Sequence, residues 1–221
     1  QWLTELLIAQ EGYAQTEAFF RENNGIPPVC LQVNPLCTTG EALLAALEKQ
    51  GFSVVVHPWL PGCLLAAGAG GLMETAQFLD GQFYVQDAAA VLAVLAAGPA
   101  PGMQVLDACA APGGKSFAAA IAMGDGGAIL ACDIQEKKLG RLEDSARRLG
   151  FSCIRTAPMD ARRPAAALRE RFDLVMADVP CSGLGVIRKK PDIREKRPED
   201  LEALPTIQGD SLDGLADCVR P

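Results

Sequence analysis

Residues 105–116 read VLDACAAPGGKS, and residues 178–183 read DVPCSG. The first stretch is an apolar run that enters a tight glycine turn and continues as a helix. The second is a strand that ends on an acid, a proline and a cysteine. In open α/β sheets ligands sit beyond the carboxyl ends of the strands, where the strand order reverses. Ala111-Pro112-Gly113-Gly114 stands at such an end. Glycines let the backbone approach a ligand closely, and the helix that follows offers unpaired N–H groups to a carboxylate. Two familiar phosphate loops are excluded. A P-loop needs a glycine five residues before Gly114, where this chain has Cys109, and the dinucleotide pattern G-x-G-x-x-G is absent from the turn.

Outward from this turn the pattern is regular. Strands are expected over 105–109, 128–133, 153–157 and 173–179. Helices are expected over 85–97, 114–123, 136–149 and 164–171. Strands alternating with helices at this spacing make a parallel sheet covered on both faces. Asp133, Asp160 and Asp178 each fall at or just after a strand, on the rim of one crevice. Asp133 lies about 20 residues past the glycine turn, where a carboxylate meets ribose hydroxyls.

Before this region lies a smaller α/β unit. Helical spacing covers 2–10 and 13–21, and Asn23-Asn24-Gly25 with Pro27-Pro28 stops it. A strand at 29–33, a helix over 41–50 capped by Thr38 or Thr39 and ended by Gly51, and a strand at 52–57 follow. Glycine-rich residues 61–82 read as connecting loops and short strands. The boundary is placed there, giving domains 1–80 and 81–221.

The chain has 221 residues, 49% apolar and 21% charged, which suits a globular fold with a real core. The apolar run 88–101 is broken by two prolines and a glycine and falls short of the roughly 18 residues of a membrane span. No basic segment followed by an apolar block marks a secretory leader. The chain opens on Gln rather than Met, so an upstream segment is expected. The eight cysteines are scattered singly with no C-x-x-C pair. They read as small buried hydrophobes of a reducing cytoplasm rather than a disulfide or zinc framework. Net charge is −7, yet residues 188–197, RKKPDIREKR, hold six basic and two acidic residues, a local +4. An acidic protein can carry one basic lip for a phosphate backbone. Cys181, beside Pro180 and expected on a loop, is the cysteine placed for chemistry.

LDACAAPGGKS, the acids at 133 and 160, ADVPCSGLGV and the RKKPDIR stretch together resemble the Nol1/Nop2/Sun family of RNA cytosine-C5 methyltransferases. LQVNPLCTTGEALLAALEKQGF and FYVQDAAA are similar to the front part of its bacterial 16S rRNA type. The resemblance covers nearly the whole chain. It implies a Rossmann-like S-adenosylmethionine-dependent methyltransferase sheet, here its first four strands in order 3-2-1-4, preceded by a small RNA-recognition-like domain. It implies that Cys109, Ala110, Ala111, Pro112, Gly113, Gly114, Lys115, Asp133, Asp160 and Asp178 bind S-adenosylmethionine. Cys181 would assist release of the enzyme after methyl transfer, with Asp178 beside it, and Arg188, Lys189, Lys190 and Arg194 would hold ribosomal RNA. A monomer in the cytoplasm with no metal is expected.

The chain also departs from the family. The attacking nucleophile lies in a Thr-Cys motif, and no Thr-Cys occurs in these residues; Cys218 follows Asp217 and does not replace it. The NusB-like front domain is not among them either. A truncated and inactive piece with a bare fourth-strand edge, open to aggregation, is therefore expected. The alternative is a non-catalytic RNA-binding or ribosome-assembly protein that keeps the methyltransferase fold. Where the family has a long helix, residues 199–217 carry Pro205, Gly209 and Gly214, so a broken helix is expected. Glu195 replaces the family's tryptophan, which weakens one RNA contact.

Overall fold

The computed structural model describes residues 2–68 and 70–221. The chain divides into two compact units, residues 1–27 with 180–208 and residues 28–179 with 209–221.

In the first unit, α1 (Trp2–Glu11) and α2 (Tyr13–Asn23) are joined through Gly12, whose φ of +80° is open to glycine at no steric cost. Three 3₁₀ turns follow at Leu184–Val186, Pro191–Glu195 and Pro198–Leu201. Leu3, Ile187 and Ile193 make the core, with Trp2 and Leu184 against it. The Trp2 indole N–H donates to the Lys196 carbonyl at 2.6 Å.

The second unit holds two sheets. The first is antiparallel and formed by β1 (Val29–Val33), β2 (Val54–Val56), β3 (Cys63–Ala66) and β4 (Phe83–Val85), in the order β2-β3-β1-β4. With α3 (Gly40–Lys49) after β1 and the short α4 (Ala76–Leu79) before β4, this is the split βαβ arrangement of ferredoxin-like folds. Thr39 caps α3 by accepting from the Ala42 amide at 3.2 Å, and the chain leaves it through Gly51 at φ +90°. Because β4 pairs with β1, the sheet runs past residue 80.

Strand alternation sends side chains to both faces of this sheet. Leu31, Val33, Val54, Leu64 and Phe83 pack with Leu43 and Leu47 of α3. Cys63 and Tyr84 pack the other way, against Val91 and Val94 of α5 (Ala88–Ala97) and against Phe117 and Ala118. One face is therefore covered by α3 and much of the other by α5 and α6 (Gly114–Ala122), with Val55 of β2 left exposed.

The second sheet is parallel: β5 (Gln104–Asp107), β6 (Ala128–Asp133), β7 (Ile154–Pro158) and β8 (Leu174–Met176), in the order β7-β6-β5-β8. This is the expected order 3-2-1-4. The crossover helices α6 (Gly114–Ala122) and α7 (Glu136–Leu149) supply Phe117, Ala119, Leu142 and Leu149 to the core.

Three expectations are corrected. Residues 164–171 form only a 3₁₀ turn at Ala166–Leu168. The reason is tertiary: the Glu170 amide donates to Asp217 O and the Arg171 amide to Cys218 O, which holds the segment out of a helix. Nor is the last helix broken. α8 runs unbroken over Leu204–Ala216. Pro205 sits in its first turn, where a missing N–H costs nothing. Gly214 lies where a Cβ would meet the Ala161 and Arg162 carbonyls at 2.9 and 2.8 Å, so the helix packs there because it has a glycine. The edge at β8, finally, is bare only in part: Leu174–Met176 pairs with β5 alone among the described strands, but the chain just before it is covered. Val219 bridges in parallel to Phe172, and Leu215 and Cys218 join the cluster around Phe172.

Candidate functional site

The glycine turn is built by β5 running directly into α6. Gly113 takes φ +113°, and a Cβ there would lie 2.5 Å from Phe117 Cζ. Only glycine therefore lets Phe117 reach the core beneath the turn. Gly113 caps α6 without a side chain, so the first-turn N–H groups of the helix remain available to an anionic group. Gly114 is equally constrained: its Cβ would stand 1.9 Å from Gln86 Oε1.

Four carboxylates come together around Cys109. Asp133 ends β6, and its Oδ2 accepts from the Ala111 amide at 3.2 Å while Oδ1 accepts from Gln135 N at 2.8 Å. It thus pins the glycine turn and keeps further lone pairs for hydroxyl donors. Asp160, two residues past β7, is gripped by Arg162, whose Nε and Nη2 donate at 3.0 and 2.7 Å. Those bonds hold the Asp160 carboxyl below its ordinary range. Asp178, two residues past β8, accepts from Lys115 Nζ at 2.5 Å. The half-buried Cys109 reports the convergence. Burial pushes its thiol up to about 11, and the negative charges of Asp107, Asp133, Asp178 and Asp160 add to the shift.

Three residues at this site were not singled out in the sequence. Asp107 ends β5 and is fully buried. Its Oδ2 accepts from Ser116 Oγ at 2.7 Å, while Oδ1 makes no full hydrogen bond, the Cys109 amide helping only weakly. Burial pushes its carboxyl up to about 6 against that bond. Ile134, next to Asp133, is 61% exposed, an apolar face on a rim of carboxylates. Gln86 meets the turn from β4. The first two lie within or beside the quoted motifs, but only burial and exposure distinguish them, and Gln86 is 28 positions from Gly114.

In the first unit Cys181 is exposed. Its loop is braced on both sides: Gln208 Nε2 donates to Pro180 O at 2.9 Å, and Lys196 Nζ donates to Ser182 O at 2.8 Å. Two of the four expected RNA cations have structural work. Arg188 donates to the carbonyls of Gly25 and Ile26 at 3.1 and 3.2 Å. Arg194 donates to Asn23 O at 3.2 Å and Asn24 Oδ1 at 2.9 Å. Together they satisfy the carbonyls at the C-terminal end of α2. Lys189 and Lys190 are exposed.

Among the described residues no cluster of His, Cys, Asp or Glu suits a metal ion, and no helix is long and apolar enough to cross a membrane.

Comparison with known proteins agrees with this geometry. A family model described as 16S rRNA methyltransferase RsmB/F matches residues 94–221. A second, described as an RsmF/B-like ferredoxin-like domain, matches residues 1–71. The chain is 32% identical over 222 residues to a probable ribosomal RNA small subunit methyltransferase B of Bacillus subtilis, covering 100% of this chain and 49% of that protein. To the ribosomal RNA small subunit methyltransferase B of Salmonella arizonae it is 34% identical over 223 residues, covering 100% and 51%. The chain thus spans about half the length of the curated relatives it matches. Among solved structures, PH0851 superposes with a TM-score of 0.94 at 32% identity, covering 100% of this chain and 50% of that one. NSun6 from Pyrococcus horikoshii, solved with SFG, shares the fold with a TM-score of 0.85 at 19% identity, covering 99% and 79%. With the RsmB/F model matching more than half of its length, this chain belongs to the 16S rRNA methyltransferase RsmB/F family.

Proposed function

We propose that this chain carries the cofactor site and part of the RNA-binding surface of an enzyme that moves a methyl group from S-adenosylmethionine to C5 of a cytosine in 16S rRNA. The observation that supports it best is the gathering of Asp107, Asp133, Asp160 and Asp178 around Cys109 beneath an uncapped helix start. Such a carboxylate set repels phosphate, which disfavours a nucleotide triphosphate. It suits a ligand with a sulfonium cation, a ribose diol and one carboxylate, so the residues fit this cofactor. When bound, it supplies an electrophilic methyl group.

The roles follow from the chemistry of each group. The first-turn N–H groups of α6 and the backbone of 109–115 receive the amino-acid end. Asp133 accepts from the ribose hydroxyls, and the exposed face of Ile134 lies against the base. Asp160 accepts from the base's exocyclic amine, with Arg162 holding its carboxylate in place. Lys115 orients Asp178 towards the target cytosine.

Cytosine C5 becomes nucleophilic only after a thiolate adds to C6. That thiolate belongs to a Thr-Cys motif, which these residues do not contain. The Cys181 sulfur then assists removal of the C5 proton, so that the C6–S bond breaks and the enzyme is released. Lys189 and Lys190 contact RNA phosphates, while Arg188 and Arg194 shape the lip. The work is divided between an RNA-recognition-like domain, whose sheet closes with β4 at Val85, and the methyltransferase domain that follows it.

Calorimetry tests the cofactor assignment. The 221-residue chain is expected to bind S-adenosylmethionine one to one, and Asp133→Ala to weaken binding at least tenfold; a chain that binds none sinks the proposal in favour of a non-catalytic RNA-binding protein. Incubated with small-subunit RNA and labelled cofactor, the chain alone is expected to transfer no methyl group. Turnover by these residues would refute the part given to the Thr-Cys motif.

A further inference from the structure

Gln86 enters the cofactor site from outside the parallel sheet. It follows β4, and its backbone is fixed at both ends. Its amide donates to Cys30 O at 3.2 Å, and its carbonyl accepts from Gln32 Nε2 at 2.8 Å. Gln32 is itself buried and anchored in β1. The side chain then lies on Gly114, so closely that a Cβ there would stand 1.9 Å from Oε1 and 2.6 Å from Cδ. The carboxamide is only partly exposed, yet it makes no hydrogen bond to any described residue. Its polar atoms are not sealed from solvent, so water holds the carboxamide until a ligand displaces it.

We propose that Gln86 is a further cofactor-binding residue, one that recognises the α-amino-acid end of S-adenosylmethionine. This rests on the cofactor reading given above. A carboxamide offers two donors and one acceptor within a few ångströms. A zwitterionic amino acid presents a carboxylate that accepts and an ammonium that donates, the complementary pair. The N–H groups of the first turn of α6 provide donors alone, so Gln86 contributes the acceptor that the turn lacks. The glycine at 114 follows from the same arrangement, since any side chain there would displace the carboxamide.

Two ligands separate this role from a purely structural one. S-Adenosylhomocysteine carries the amino-acid end; 5′-methylthioadenosine keeps the nucleoside and lacks that end. In the wild-type chain S-adenosylhomocysteine is expected to bind more tightly. Gln86→Leu is expected to weaken it about tenfold, the scale of one hydrogen bond to a charged group, and to change 5′-methylthioadenosine less than twofold. Gln86→Met keeps the length of the side chain but removes both its donors and its acceptor. It is expected to weaken S-adenosylhomocysteine about as much as Leu does, again sparing 5′-methylthioadenosine. Equal losses for both ligands would show that Gln86 merely shapes the turn, and no loss for either would also overturn the proposal. A wild-type chain that binds neither ligand overturns the cofactor reading, and this one with it. Circular dichroism of each variant checks the fold, and Gln86→Met decides the matter if Gln86→Leu fails to fold.

Discussion

Asp107 shows what one buried residue costs. An aspartate in an unfolded chain titrates near 3.9, whereas burial raises Asp107 to about 6 in the fold. Between roughly pH 4 and 6 the native state therefore holds more protons than the unfolded one. Stability attributable to this group falls as pH rises through that window and stays low above it. Two pH units correspond to about 3 kcal/mol. Asp107→Asn keeps the shape and removes the charge. It is expected to stabilise the chain by about 1–3 kcal/mol at pH 8 and to give almost no gain near pH 4, as measured by urea unfolding at the two pH values. A variant with the same stability change at both would show that the Asp107 carboxyl ionises in the fold as it does in the unfolded chain, with no raised value. The acid was visible in the motif, but the strain on it was not, because burial depends on β6 and β8 closing over the end of β5.

At the scale of the element, α8 illustrates how propensity and context divide. Proline and two glycines predict a broken helix, but each position has a different environment. Nothing lies within 4 Å of a Cβ added at Gly209, so Gly209→Ala is expected to stabilise by about 0.5–1 kcal/mol. At Gly214 the same change drives a methyl into the Ala161 and Arg162 carbonyls. It is expected to destabilise by about 1–3 kcal/mol. Thermal unfolding of the two variants should shift in opposite directions; a shared sign would contradict the packing described for α8. Residues 164–171 teach the converse. Their composition supports a helix, but backbone bonds to Asp217 and Cys218 hold the segment open. The other long elements were legible, since periodic apolar residues and glycine stops act within a few residues of where they stand.

On the scale of the second unit as a whole, the antiparallel sheet serves as a brace for the parallel one. The Tyr84 ring packs edge-on to Phe117 at 5.5 Å. The Arg148 guanidinium lies 3.8 Å over the Phe78 ring and donates to the Phe78 and Phe83 carbonyls. Asn34 Nδ2 donates to Leu149 O at 2.8 Å and Gly81 O at 2.9 Å. Sheets of this topology that bind single-stranded RNA do so by stacking bases on an open face. Here α3 covers one face and α5 and α6 much of the other, with Val55 of the edge strand β2 left exposed. The seam is tight at Gly81, which has φ +72° and where a Cβ would stand 2.1 Å from the Arg148 carbonyl. Gly81→Ala is expected to cost about 3 kcal/mol or more, from strain and steric overlap together. The same urea titration checks it, and a cost below about 1 kcal/mol would mean that the two sheets are not locked there.

By itself the sequence determined the alternation of strands and helices that makes the parallel sheet, the glycine turn, the acids on the rim and the Pro-Cys loop, whereas the strand order came from the resemblance. These are written in local patterns, a period of two or 3.6 and a few fixed spacings, which short-range sterics and hydrogen bonding enforce. Only the tertiary structure decided that Gln86 meets Gly114, that Arg162 grips Asp160, that Arg188 and Arg194 close the end of α2, and that α5 and α6 pack on the second face of the first sheet. Most of those contacts join residues far apart in the chain, and even the short link from Asp160 to Arg162 depends on rotamers that packing selects. No local pattern encodes such choices, because their free energy exists only once the surrounding elements are in place.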